Sequence, residues 1–419
     1  VALAVNGVVG SGVYLILPVS AAKLLGPASV WAILGAGAVV LLLVLCFAEA
    51  ATLFDQPGGA YLYTRAAFGG FVGFEVGWMT WIARTVAVAS LSVFFSRVVG
   101  DVWPGARAGL GQALTVVGVL ATLTWINVRG IKAGARTTVV LTVGKLLPLL
   151  LLAAVGLVSA PWGRIFPVPA PDPANFGAAA LLVLYAYSGF EATSGPAGEY
   201  QDPKRNLPFA LVAQLVVVTA LYTLVQLVAI ATVPDLGHAK TPLSDAGRAL
   251  MGPAGGLLLT LGAALSVLGT NNGSILAGPR YLYALADSGR LPPAFARIHP
   301  RYRTPYVAIL TQSGIALAVI AADAVLHRVD PGAFGVAEEL ALISIIARLV
   351  TYLGTCLAVP VLRWKMAASP RAFRLPGGPA IPIAATLVCL LLLTAVEARV
   401  WIAGAIAAGV GAIVYFRRG

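Results

Sequence analysis

Apolar residues in this chain fall in long unbroken stretches rather than in alternation with polar ones. The stretches recur along the whole length at roughly 20 residues each, the length that carries a helix across a bilayer. Inside lipid every backbone amide must find its partner within the protein, which leaves helices or a closed barrel. Barrel strands alternate apolar and polar positions; these runs do not, so the pattern predicts helices. Twelve spans are expected, near 1–24, 29–53, 71–99, 110–127, 137–159, 176–199, 208–233, 255–286, 306–325, 334–359, 380–396 and 399–416. Turn-forming residues punctuate them at Gly26-Pro27, Gly58-Gly59, Pro161, Pro203, Pro292-Pro293, Pro331-Gly332 and Gly377-Gly378.

Composition sharpens this picture. Of 419 residues, 59% are hydrophobic and 11% charged, against about 25% charged in a soluble globular domain. The net charge of +12 does not point to nucleic acid, because the basic residues sit in short loops between apolar runs. Sixteen Lys and Arg lie in the loops after even-numbered spans and in the tail, against eight on the opposite side. That excess predicts cytoplasmic termini and an inner or plasma membrane location. Cys46, Cys356 and Cys389 all fall inside apolar runs and read as small hydrophobes rather than a disulfide framework. No cleavable signal peptide is evident, and Val1 already lies in an apolar segment, so a natural N-terminal tail is expected ahead of it.

Spans one and six share a peculiarity. Span one contains Asn6-Gly7-Val8-Val9-Gly10-Ser11-Gly12, and span six contains Ser188-Gly189-Phe190-Glu191 followed by Gly195-Pro196-Ala197-Gly198. Each opens a block of five spans. Interruptions at matching positions of two halves point to an inverted repeat with its binding site at the breaks. The bland alternative is close helix packing through small residues.

Broken helices expose peptide groups that need partners. The amides of Gly10, Ser11 and Gly12 would open a half-helix at its positive end, where a carboxylate is favoured. The carbonyls near Val8, Tyr185 and Ser188 would close half-helices at their negative ends and suit an ammonium. A zwitterion carrying both groups fits both half-sites, which points to an α-amino acid as ligand.

These residues also resemble a known family. Gly7-Val8-Val9-Gly10-Ser11-Gly12-Val13-Tyr14 is similar to the first-helix motif of the amino acid–polyamine–organocation superfamily of transporters. Phe47-Ala48-Glu49 with Gly58-Gly59-Ala60-Tyr61 resembles its second helix and following loop. Tyr185 to Glu191, then Glu199, Asp202-Pro203, Arg205-Asn206 and Pro208, resembles its sixth-helix block. Gly278-Pro279-Arg280, Asp287, Gly289-Arg290, Pro292 and Thr304-Pro305 resemble its eighth helix and loop.

The resemblance implies an all-α polytopic membrane protein of twelve transmembrane helices. Helices one to five (1–159) and six to ten (176–359) would form a 5+5 inverted repeat with helices 1 and 6 broken, and 380–416 two peripheral helices. It implies that Gly10, Ser11 and Gly12 bind substrate carboxylate through backbone amides, and that carbonyls matching Val8, Tyr185 and Ser188 meet the amine. Tyr185 stands where relatives place an aromatic that closes over substrate. Gly273 stands where some relatives carry a bulky aromatic, a departure that leaves room.

Charges at membrane depth are costly and mark functional candidates. Lys145 lies about 12 Å into span five at 1.5 Å per residue, beyond comfortable snorkelling. Two roles are open to it: gaining and losing a proton to couple transport, or acting as a fixed ammonium that holds broken span one. The resemblance favours coupling, since proton-coupled members place a lysine on helix five, although exchangers carry one too. Glu191 follows the second break and is expected to support the unwound backbone. Glu49 is a further buried candidate. Arg84 and Arg348, deep in spans three and ten, either line the pathway or pair with a buried acid. His238, His299 and His327 are expected in loops, and the Asn272-Gly273-Ser274 sequon is discounted because it falls inside span eight.

The resulting expectation is a secondary transporter, with no cofactor or metal. It takes up a neutral L-amino acid with a proton by alternating access; an exchanger of the same fold is the alternative and a transporter-like sensor a remote one. An intramembrane enzyme would need a catalytic group such as a histidine at membrane depth, and no span contains one. A channel would favour rings of selectivity groups around a continuous pore.

Overall fold

The computed structural model describes residues 2–100, 103–329, 336–394 and 396–417. Among these residues the secondary structure is helical throughout, with no strand. Fourteen α-helices run in order: α1 Ala2–Val8, α2 Ser11–Leu25, α3 Ser29–Ala51, α4 Ala60–Phe68, α5 Gly70–Val99, α6 Gly109–Val128, α7 Ile131–Ser159, α8 Pro173–Ala186, α9 Pro203–Thr232, α10 Pro242–Asp287, α11 Tyr306–Val329, α12 Val336–Lys365, α13 Ala380–Thr394 and α14 Ala398–Phe416. Among the described residues eight helical stretches are long and apolar enough to cross a membrane, and three shorter apolar helices accompany them. The chain is thus a multi-pass membrane protein.

Most predicted spans coincide with one helix each. Span one instead divides into α1 and α2, and span six stops as a regular helix at Ala186, followed by short 3-10 turns at Phe190–Ser194 and Ala197–Glu199. The turn expected at Pro331-Gly332 lies outside the described residues, as does Val1. His327, expected in a loop, instead falls in the last turn of α11; its side chain lies outside the described residues. Proline does not end every helix that contains it: Pro18, Pro148, Pro208 and Pro360 all sit inside α-helices. A proline ring removes one ladder bond, that to the carbonyl four residues earlier, and leaves the rest of the helix intact. Beside Pro18, Gln226 donates from Nε2 to the Pro18 carbonyl at 3.3 Å and to Ser29 Oγ at 2.9 Å.

Two short helices were not expected. α4 is a partly polar segment in the predicted loop between spans two and three. The first part of α10 is divided from the rest at Gly252, where φ is +70° and the chain leaves helical geometry; glycine tolerates that region at little cost.

The chain forms two compact units. The first comprises Val1–Leu41, Thr137–Phe190 and Val212–Thr270, and the second Leu42–Arg136, Glu191–Leu211 and Asn271–Gly419. The first holds α1, α2, α8 and most of α7 and α9. Within the second, α5 packs on α4, α12 and α14. There Glu49, buried near the end of α3, accepts Arg363 Nη2 at 2.6 Å, Arg371 Nη1 at 3.0 Å and the Leu375 amide at 2.9 Å. Two arginines that read as loop charges thus neutralise a buried acid.

Candidate functional site

The first break is built from backbone. After α1 ends at Val8, the Val9 amide still donates back to the Val5 carbonyl at 2.9 Å. Gly10 then turns extended, with φ −102° and ψ −164°, and α2 starts at Ser11. First-turn amides have no acceptor within their own helix. Gly10 brings no capping side chain, and the first turn of α2 contains no acidic residue. A Cβ built on Gly10 would sit 3.4 Å from Thr270 Oγ1, and one on Gly12 4.0 Å from the Ala186 methyl. Gly10 and Gly12 thus place no side chain at the start of α2, and the positive end of a helix suits an anion. The Ser11 side chain lies outside the described residues.

The carbonyls released at the break are held by polar side chains. Lys145, fully buried on α7, donates from Nζ to the Asn6 carbonyl at 3.0 Å and to the Val9 carbonyl. Ser266 on α10 adds a 3.4 Å contact to the Val9 carbonyl, and Asn6 Nδ2 donates to the Gly269 carbonyl at 2.8 Å. The Tyr14 hydroxyl, from α2, donates to the backbone carbonyl of Lys145 itself. Lysine and broken helix thus hold each other from both sides. Among the described residues no carboxylate pairs with Lys145.

The second break lies beside the first. Gly189, with φ +112°, approaches so closely that a Cβ there would stand 2.2 Å from the Gly7 carbonyl oxygen. Only glycine fits. Tyr222 on α9 was missed by the sequence reading. Its hydroxyl lies 3.0 Å from the Val8 carbonyl and 3.3 Å from the Ala186 carbonyl, so one donor serves the ends of both interrupted helices. Its ring packs 5.3 Å from Tyr187, whose hydroxyl donates to the Ile33 carbonyl at 3.1 Å. Nothing in the sequence marks Tyr222 beyond a polar aromatic inside an apolar run. The Val8 carbonyl, expected to meet a ligand amine, therefore already holds one hydrogen bond; a carbonyl oxygen has room for a second. Ser188 is half-buried in the turn after α8, and the Tyr185 side chain lies outside the described residues.

Glu191 and Gly273 belong to the second unit. The Glu191 carboxylate is buried and pairs with Arg84 of α5, and it accepts the Tyr352 hydroxyl of α12 at 2.9 Å. Arg348 also acts on it electrostatically. Arg84 accordingly pairs with a buried acid, the second of the roles open to it. Gly273 is half-buried within α10. Its neighbour Asn272 accepts Asn127 Nδ2 at 2.7 Å and donates to the Gly134 carbonyl at 3.1 Å, so the sequon asparagine is committed to helix packing.

Apolar spans with two interrupted helices, whose ends lie side by side, are the mark of a membrane carrier. The chain belongs to the amino acid permease family: the profile of that family matches residues 1–412. This places it in the amino acid–polyamine–organocation superfamily, whose members are transporters rather than enzymes. The serine/threonine exchanger SteT of Bacillus subtilis is 30% identical, covering 91% of this chain and 86% of the relative. The branched-chain amino acid permease BcaP of the same organism is 27% identical over 99% of this chain and 90% of the relative. The Asc-type amino acid transporter 1 of Mus musculus is 29% identical over 88% of this chain and 70% of the relative.

Proposed function

We propose that the protein takes up a neutral L-amino acid together with a proton by alternating access. The observation that carries this reading is Lys145, a buried lysine with no carboxylate partner among the described residues, hydrogen-bonded to the carbonyls at the first break. When Lys145 holds its proton, those carbonyls are tied and the start of α2 is fixed. When it loses the proton, the hold loosens and the break is free to rearrange. Proton movement and the geometry of the substrate site are linked through the same few atoms.

In this proposal the amides of Gly10, Ser11 and Gly12 bind the carboxylate, and the carbonyls of Val8, Tyr185 and Ser188 bind the amine. Tyr185 closes over the bound molecule. Glu191 supports the second break by fixing Arg84 and Tyr352, and Gly273 is a supporting small residue of α10. A neutral substrate is favoured because the motif around the first break has no acidic residue to take a cationic side chain. The reading includes twelve spans, two inverted five-helix repeats (1–159 and 176–359), two peripheral helices (380–416), and cytoplasmic termini in the inner or plasma membrane.

Exchange of one amino acid for another is the second reading, and the similarity to a serine/threonine exchanger favours it. Uptake into proteoliposomes separates the two. Symport predicts accumulation driven by an inwardly directed proton gradient into empty vesicles. Uptake that ignores the gradient and requires internal amino acid overturns it.

A further inference from the structure

Glu75 is a half-buried residue whose carboxyl group neither reading uses. It lies in the second turn of α5, and both of its carboxyl oxygens are buried with no hydrogen-bond partner. Opposite it, on α14, stands Gly411: a Cβ there would sit 2.9 Å from each Glu75 oxygen and 2.6 Å from Trp78 Cδ1. The glycine therefore makes the space that the carboxyl fills. Around it the seam is aromatic and tightly held. Trp78 donates from Nε1 to the Ala407 carbonyl at 3.1 Å, and Tyr415 packs 5.3 Å from Phe74.

The charged groups nearby are committed elsewhere. From α4, Arg65 donates to the Tyr61 hydroxyl at 2.9 Å. From the turn after α10, Arg290 stacks 4.4 Å over the Tyr415 ring. From α12, Lys365 donates to the Ala67 carbonyl at 2.8 Å. α14 itself offers Tyr415 and the exposed Arg417 past its end. No acid is among these groups, and none of them bonds Glu75.

An unpaired carboxylate in such a place costs far more than a neutral acid, because burial removes water without supplying a counter-charge. Two carboxyl oxygens alone make no cation site; a proton is the ligand they can hold. We propose that Glu75 is a second proton-binding site, separate from Lys145, whose neutral form lets α14 dock on α5. Ionisation places an uncompensated charge in the seam and weakens that docking. The seam is thus sensitive to pH whichever transport mode operates.

The folded protein keeps a proton that the unfolded chain releases, so this contribution to stability is present at low pH and is lost as pH rises. The test is thermal unfolding of the purified full chain in nanodiscs between about pH 5 and about pH 9, for the wild type, Glu75→Gln and Glu75→Leu. The proposal predicts that the wild-type midpoint falls as pH rises, and that the fall is smaller in both variants. Infrared spectra at neutral pH supply a second readout: a carboxylic acid C=O stretch present in the wild type and missing in Glu75→Gln. Equal pH slopes in wild type and variants, or an acid band unchanged by the substitution, overturn it. Uptake assays of the same variants keep this result apart from the coupling proposal, because Glu75→Gln is expected to retain gradient-driven uptake.

Discussion

The Lys145 Nζ stands 3.0 Å from the Asn6 carbonyl, bridging α7 to the last turn before the first break. Asn6 is thereby fixed at both ends, since its side-chain amide donates to Gly269 on α10. The interrupted helix is held by hydrogen bonds from a lysine amine and a side-chain amide as well as by packing.

Replacing Lys145 by alanine leaves the Asn6 and Val9 carbonyls without their donor. Unmet buried acceptors cost about 1–3 kcal/mol each, so Lys145→Ala is expected to fold with a lowered thermal midpoint. Its gradient-driven uptake is expected to disappear. Full uptake driven by pH in a folded Lys145→Ala protein would refute the coupling role.

Gly12 and Gly189 separate ligand binding from folding. The nearest atom to a Cβ on Gly12 is 4.0 Å away, so Gly12→Val is expected to fold and to lose amino acid binding at least about tenfold, or about 1.4 kcal/mol. A Cβ on Gly189 collides with the Gly7 carbonyl at a positive φ. Gly189→Ala is expected to lose about 3 kcal/mol or more of stability. Thermal unfolding and equilibrium binding on both variants check the contrast.

Tyr222 is expected to matter through one atom. Tyr222→Phe keeps the ring against Tyr187 and removes the hydroxyl shared by Val8 and Ala186. The expected cost is about 1 kcal/mol in stability, together with weaker substrate binding, since the Val8 carbonyl loses its fixed position. A variant indistinguishable from wild type in both measurements would count against the bridging role.

The pair Arg84 and Glu191 tests buried electrostatics in the second unit. Removing one member of a buried pair costs about 3–5 kcal/mol because the other charge is stranded. Arg84→Ala is expected to fall in that range by denaturation, and adding Glu191→Gln is expected to recover part of the loss. Additive losses in the double variant would show that the two side chains do not act as a unit.

Much of this arrangement is legible along the chain because glycine and proline act locally. The first break lies among Gly7, Gly10 and Gly12, and the end of α8 at Gly189, where a positive φ and the close approach of the Gly7 carbonyl leave no room for a side chain. Lys145 stands out because depth inside an apolar run is itself a one-dimensional property. What the sequence withholds is pairing across distance. Arg84 and Glu191 are 107 positions apart, and nothing local says that they meet. Arg363 and Arg371 read as cytoplasmic loop charges, yet both close on Glu49. Tyr222 and Glu75 were passed over for the same reason: their meaning lies in which peptide groups, or which absence of partners, the fold sets opposite them. The short helix α4 was missed because its nine residues are too few to span a membrane and follow directly on the Gly58-Gly59 turn.

The central claim is that bare peptide groups at the first break grip a zwitterion by both of its charges. The measurement that bears on it most directly is a thermal-shift screen of purified protein. It covers the standard amino acids and, for every one that stabilises, the carboxyl-amidated and the deaminated analogue, since only ligands bound to the folded state raise the midpoint. The account predicts stabilisation by one or more small neutral amino acids, and its loss when either charged group is removed. Stabilisation that survives loss of the carboxylate would contradict it, because the amides of Gly10, Ser11 and Gly12 would then have no part in binding.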